Sequence, residues 1–182
     1  MLDARQAAVS AARSRRGNAE EEPSSLPISA GQLDAALHSL TNAPDQPFGL
    51  LMIDLDYFRF INEAFGCLQG DDVRLRVADA LAGTIGERGV LILCEGGSFA
   101  VLLSTANGSD TLSQAEALRQ RVAEVWQLDS GGGRIILTAS IGAAHYPENG
   151  NDPAAMLRAA NFALTQARQE GRNRVSAAFP VG

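Results

Sequence analysis

An α/β sandwich with a mixed central sheet is the fold class predicted by this 182-residue chain, and three observations lead to it. Apolar runs suited to strands alternate with segments of helical periodicity, the pattern of helices layered on a sheet. One pair of runs, Leu91-Ile92-Leu93 and Phe99-Ala100-Val101, flanks Glu95-Gly96-Gly97-Ser98 and reads as a β-hairpin, because glycine tolerates the positive φ of a tight turn. A hairpin is antiparallel whereas helical crossovers favour parallel neighbours, so the sheet is expected to be mixed.

Length and composition bound the rest. Apolar residues at 46% and charged ones at 20% describe one ordinary globular domain with some extension. No run approaches the roughly 18 apolar residues of a membrane helix, and the N-terminus does not open a secretory signal. A cytoplasmic location without membrane contact from this segment is expected. Every basic residue is Arg, and the first sixteen residues carry +3 of the net −6, leaving −9 on the remainder. An acidic body repels a phosphate backbone, which excludes bulk nucleic acid as a partner while leaving a single nucleotide open. Cys67 and Cys94 lack a metal-binding or redox spacing and are expected to be a reduced, buried pair.

In chain order, residues 4–16 are rich in Ala and Arg, with good helix propensity but a thin apolar stripe, so a helix there needs a partner. A polar linker follows to Ser25. Residues 1–25 thus read as a helical connector and flexible linker, and 26–180 as the domain. Leu33, Ala36, Leu37 and Leu40 share a helical face that starts near Ser29 and stops at Asn42-Ala43-Pro44. Phe48 to Asp56 reads as a central strand, with Asp54 and Asp56 on one face at its end. Bulky residues recur at helical spacing from Tyr57 to Phe65 until Gly66 to Gly70 breaks the pattern, and Asp71 is expected to open the next helix.

Beyond the hairpin, Asn107-Gly108-Ser109 reads as a turn, and Ala115, Leu118, Val122 and Trp126 as a buried helical stripe. Gly131-Gly132-Gly133 reads as a loop and Ile135 to Ala144 as one strand. Asn149 to Pro153 leads into a helix running to Glu170, with Gly171 just past its end, and Arg174 to Phe179 supplies a last strand.

Several of these segments, spread over about residues 26–178, together resemble a GGDEF domain. They are Asp54 to Gly66, Gly70-Asp71, the hairpin, Ser140-Ile141-Gly142, and Ala163 to Asn173. The resemblance implies a three-layer sandwich like the palm of nucleotide cyclases, its hairpin carrying the signature. Active members are diguanylate cyclases, which condense two GTP molecules into cyclic di-GMP. In-line attack of a 3′-hydroxyl on an α-phosphate needs divalent cations held by carboxylates. In such members one carboxylate comes from the strand motif, matched here by Asp54, and the other from the third signature position.

Setting Phe99 on the signature's Phe places Glu95 and Gly96 at the two Gly positions, Gly97 at the metal-binding acid and Ser98 at the following Glu. The resemblance therefore implies a degenerate domain with no catalytic residues, Asp54 being a residual metal position insufficient by itself. Glu95 precedes the required position by two residues, about 6 to 7 Å along a strand. Asn62 and Asp71 match guanine-binding positions, and Arg168 and Arg172 match a basic pair that steadies phosphates, so GTP with Mg²⁺ is the implied ligand. A solvated Asn62, an N-capping Asp71 and helix-end charges at 168 and 172 are the plain structural alternatives. Arg59 replaces a Lys, Asn161 stands where Asp is common, and Gly86-Glu87-Arg88-Gly89 lacks the residues of the family's product-inhibition site.

The leading expectation is a catalytically inactive regulatory or protein-interaction module that needs no cofactor. It would work in bacterial cyclic di-GMP signalling beside a sensor or phosphodiesterase domain, or as a homodimer. A GTP-sensing domain controlling its neighbour is the alternative, and a weak residual cyclase using Asp54 with Glu95 a third.

Overall fold

The computed structural model describes residues 30–42, 46–94, 96–105, 107–125, 127–130 and 133–178. The connector and linker expected over 1–25, the cap at Ser29, Glu95, Trp126, Gly131-Gly132 and the C-terminal end from Phe179 lie outside these residues. The elements are α1 (Ala30–Thr41), β1 (Phe48–Leu55), α2 (Phe58–Phe65), α3 (Cys67–Ile85), β2 (Gly89–Leu93), β3 (Ser98–Leu103) and α4 (Gly108–Val125). They continue with β4 (Gln127–Ser130), β5 (Gly133–Ile136), β6 (Ala139–Tyr146), α5 (Pro153–Gln169) and β7 (Val175–Ala177). A single 3₁₀ turn, Gly86–Arg88, joins α3 to β2.

Five strands form the main sheet in the order β2-β3-β1-β6-β7. Every neighbouring pair is antiparallel except β6 with β7. The sheet is mixed as the hairpin and the crossover before β7 require. Strand β1 is central, and its alternating side chains feed two cores. Leu51, Ile53 and Leu55 pack with α2, α3 and α4 residues such as Ile61, Val77 and Leu118. Phe48, Leu50 and Met52 pack on the other face with Leu37 of α1 and Met156 and Ala160 of α5. Three layers result, and each fully buried Leu, Ile or Phe contributes about 1.5–3 kcal/mol relative to exposure.

Helix α5 is set by local chemistry: the Asp152 carboxylate accepts from Ala155 N, Pro153 occupies the first turn and Gly171 follows the end at φ +115°. It approaches β6 so closely at Gly142 that a side chain there would run into the backbone of Ala160 and Leu164.

Several expectations are corrected. Helix α3 begins at Cys67 and not at Asp71, because the chain breaks only at Gly66, where φ is +86°. Gly70 is accommodated inside the helix, its missing side chain making room for the Asn62 carboxamide. Asp71 is thus an exposed residue of the second turn and not an N-cap. Asn107 is the cap of α4, accepting from Asp110 N at 2.8 Å, so the predicted turn is a helix start. The run 135–144 divides into β5, paired with the polar strand β4, and β6. Cys67 is exposed at the outward start of α3 and Cys94 half-buried in the hairpin, so they are no buried pair.

Candidate functional site

The register of β1 builds one end of the site. Asp54 lies opposite Ser98 on β3 and Ser140 on β6. Ser98 Oγ donates to Asp54 Oδ1 at 2.7 Å. Arg168, in the last turn of α5, places Nη2 at 2.6 Å from Asp54 Oδ2. Both carboxylate oxygens are therefore engaged, one by a hydroxyl and one by a guanidinium. The ion pair is partly solvated, its side chains 41% and 23% exposed, so it contributes about 1 kcal/mol or less.

Asp56 shares the strand parity of Asp54 but does different work. It is buried, and its carboxylate accepts from Thr138 Oγ1 at 2.7 Å, Ser140 Oγ at 2.7 Å and Asn173 N at 3.0 Å. Asn173 and its neighbour Arg172 both hold left-handed backbone, at φ +47° and +64°. Asp56 thereby fixes the loop after α5, and Arg172 is carried over the Tyr57 ring, 4.8 Å from its centroid.

The hairpin tip closes this corner. Gly96 takes φ +64°, which favours glycine. The Gly97 carbonyl accepts from Leu55 N at 3.1 Å. A Cβ on Gly97 would lie 2.7 Å from Phe58 Cδ1, so the position is filled by a buried ring. Arg74 of α3 holds the base of the tip, donating from Nη2 to the Cys94 carbonyl at 2.5 Å, while its buried Nε has no partner among the described residues. Burial pushes the Cys94 thiol above its ordinary pKa, with Arg74 and a backbone hydrogen bond at Ala100 opposing.

One turn along α2 from Phe58 stands Asn62, whose carboxamide lies against Gly70 at the α2–α3 corner, next to Asp71. The side chains of Asn62 and Asp71 have no hydrogen-bond or ion-pair partner among the described residues. The structure thus brings Asp54, Ser98 and Arg168 together, and places Asn62 beside Gly70-Asp71 at the far end of a helix about 12 Å long. Arg172 stacks on Tyr57 instead of joining Arg168. Arg59 pairs with Glu63 on the surface, and Arg88 donates to the Thr84 carbonyl.

A pair of divalent cations does not fit the described donors. Asp54 is engaged on both oxygens, Asp56 is consumed by three internal donors and Gly97 offers no ligand. No group of three or more His, Cys, Asp or Glu that could hold a metal ion exists among the described residues. Three features were not visible in the sequence: the Arg168–Asp54 pair, the Phe58 ring under Gly97 and the Arg74 clamp. The first joins residues far apart in the chain, and no local pattern marks the other two.

Comparison with known proteins places this arrangement. The family model described as diguanylate cyclase, GGDEF domain, matches residues 29–174. Diguanylate cyclase DosC of Escherichia coli K12 is 33% identical over 135 residues, 74% of this chain and 29% of DosC. Diguanylate cyclase TpbB of Pseudomonas aeruginosa is 33% identical over 143 residues, 78% of this chain and 32% of TpbB. The chain accordingly spans about a third of the length of these relatives. The solved GGDEF domain of TpbB, also called YfiN, superposes with a TM-score of 0.75 at 28% identity, covering 85% of this chain and 98% of that one. The active GGEEF domain of a Vibrio cholerae diguanylate cyclase gives 0.72 at 25% identity, covering 83% and 97%. By fold, by motif order and by these matches, the chain belongs to the GGDEF domain family of cyclic di-GMP signalling.

Proposed function

We propose that this domain is a non-catalytic GGDEF domain that serves as a regulatory or protein-interaction module. One observation carries the reading: the Asp54 carboxylate is neutralised and hydrogen-bonded from within, by Arg168 and Ser98. A carboxylate that must hold a cation in the reaction is here held by a cation of the chain itself. Gly97 strengthens the reading, since it lacks an acid and Phe58 fills the space one would need. The domain works beside other domains of a larger cytoplasmic signalling protein, or with a partner protein or second copy, through its surface. The test is incubation of the purified chain with GTP and Mg²⁺ or Mn²⁺, followed by chromatography of the products. No cyclic di-GMP is expected, and turnover above a heat-inactivated control sinks the proposal.

A second reading is favoured by the α2–α3 corner, where Asn62 and Asp71 keep polar groups that nothing in the described protein satisfies. A carboxylate there can accept from the guanine ring N–H and amine. In this reading the domain binds GTP without processing it and passes occupancy to its neighbour. Titration calorimetry with GTP checks it: saturable heat is expected, and its absence at millimolar nucleotide ends the reading.

A further inference from the structure

A cleft of about 340 Å³ opens at the end of the sheet away from Asp54, between the first turn of α4, the end of β6 and β7. Along β6 it lies five residues from Ser140, about 17 Å, and its lining shares no residue with the corners described above. Its size is at the lower end of the range for ligand pockets, about 300–1,000 Å³, which suits a small ligand. Leu112, Ala143 and Ala177 give it apolar walls, and His145 and Glu148 bring polar groups to it. Asn149 holds the frame, accepting from His145 N at 2.8 Å and donating to the Ala178 carbonyl at 3.3 Å.

His145 is the group that this frame leaves incomplete. Its side chain is only 3% exposed. The Thr111 hydroxyl donates to the Asn107 carbonyl at 3.2 Å and so accepts from Nδ1–H at 2.9 Å. That network assigns the tautomer in which Nε2 is a bare acceptor. Nε2 has no hydrogen-bond partner among the described residues, and the Glu148 carboxylate, itself an acceptor, stands 3.9 Å away. Two acceptors facing each other across that gap call for a donor shared between them.

The charge of the donor follows from the surroundings. Glu148 and Asp110 both bring negative potential to His145. Glu148 Oε2 also lies 3.3 Å from where a Cβ on Gly108 would stand, so the positive end of α4 is already met by a carboxylate and an anion is repelled. Burial lowers the pKa of His145 against the pull of those two charges, which keeps Nε2 unprotonated at neutral pH. The donor set does not suit a metal ion, because no group of three or more His, Cys, Asp or Glu able to hold one exists among the described residues. Nor can a second copy of this chain insert a lysine, since every basic residue is Arg.

We propose that this cleft binds a small primary alkylammonium ion, whose N–H groups bridge His145 Nε2 and the Glu148 carboxylate while its alkyl chain lies along Leu112, Ala143 and Ala177. Titration of the full chain with n-butylamine at neutral pH, followed by amide NMR, tests this. Saturable shifts are expected at Gly108, Leu112, Ala144 and Ala177, with a midpoint of about 1–10 mM, as befits a ligand of few atoms. Amides around Asp54 and Asp71 are expected to stay fixed. Butan-1-ol and butyrate, which lack the ammonium, are expected to bind at least about tenfold more weakly. Glu148→Gln, at a side chain 57% exposed, is expected to leave the fold intact and to weaken butylamine binding about tenfold. Leu112→Arg, which sets a cation on the cleft wall, is expected to abolish it. Absence of saturable shifts at tens of millimolar amine overturns the proposal, as does an equal response to butan-1-ol or binding indifferent to Glu148→Gln. Shifts centred on Asp54 or Asp71 instead of the cleft overturn it as well.

Discussion

The two ends of α2 have been treated differently by the sequence. At its start, Asp54, Ser98, Arg168 and Phe58 satisfy one another: charge meets charge, hydroxyl meets carboxylate and a ring fills the space beside Gly97. At its finish, Asn62 and Asp71 present hydrogen-bonding groups with no internal partner. A self-satisfied cluster has little left to offer a ligand, whereas solvent-facing polar groups without an internal partner still do. In the proposed reading the difference separates binding from reaction: the corner at Asp54 is closed from within, while Asn62 and Asp71 stay available to a ligand.

The strongest attempt to break the comparison is to put an acid back. Gly97→Asp pushes a side chain into the Phe58 ring and is expected to cost about 1–3 kcal/mol of stability, read from the urea midpoint. It is expected to yield no cyclic di-GMP, because Asp54 stays paired with Arg168. Unchanged stability with new turnover would erase the distinction between the two ends. Next in size is Asp71→Ala. It is expected to weaken GTP affinity by about tenfold, roughly 1.4 kcal/mol, in calorimetry while moving stability by less than about 0.5 kcal/mol. Arg168→Ala should do the reverse in kind, lowering stability by about 1 kcal/mol or less because the pair is partly solvated. If Asp71→Ala proves the more destabilising of the two, the Asn62–Asp71 corner is structural after all.

The smallest effect comes from the opposite end of the sheet, which serves as a reference for both corners. There His145 is buried, its Nδ1 2.9 Å from Thr111 Oγ1, and Nε2 lies 3.9 Å from the Glu148 carboxylate. Burial lowers its pKa, opposed by the charges of Glu148 and Asp110. The unfolded chain takes up a proton near the ordinary value of about 6.5, whereas the folded imidazole resists until lower pH. Stability is therefore complete above about pH 6.5 and falls as pH drops toward the folded pKa. Urea midpoints of the parent and His145→Gln across pH 5 to 8 are expected to diverge only in the acid range, with the parent losing more. Parallel curves would show that His145 is not the source of the acid loss.

Much of the fold was legible because its core elements obey simple periods. The alternation of Leu51, Ile53 and Leu55 with Leu50 and Met52 specifies a strand buried on both faces. The Asp152-Pro153 start and Gly171 stop bracket α5 with local chemistry alone. Reading failed where a distant residue overrode the local signal. Gly70 looked like a helix breaker, yet Asn62 occupies the room it leaves and the helix runs through. Thr138 looked like part of one long strand, yet its carbonyl accepts from Asp56 N and its hydroxyl from there reaches the carboxylate, turning the chain between β5 and β6. The site was legible as a set of positions and illegible as a set of partners. Ser98 read as a lost acid, and only the β1–β3 register shows it donating to Asp54.

The Asp56 cluster has a kinetic meaning as well as a static one. Its bond to Asn173 N links residues 117 positions apart, while Ser140 and Thr138 join the same carboxylate from between. Such closure carries a high loop entropy and makes contacts of this span late events in folding. On a ribosome, Asp56 must wait until nearly the whole domain has emerged before its three donors can assemble. The full donor set of Asp56 is thus one of the last parts of the domain to assemble, whatever ligand the neighbouring corner meets.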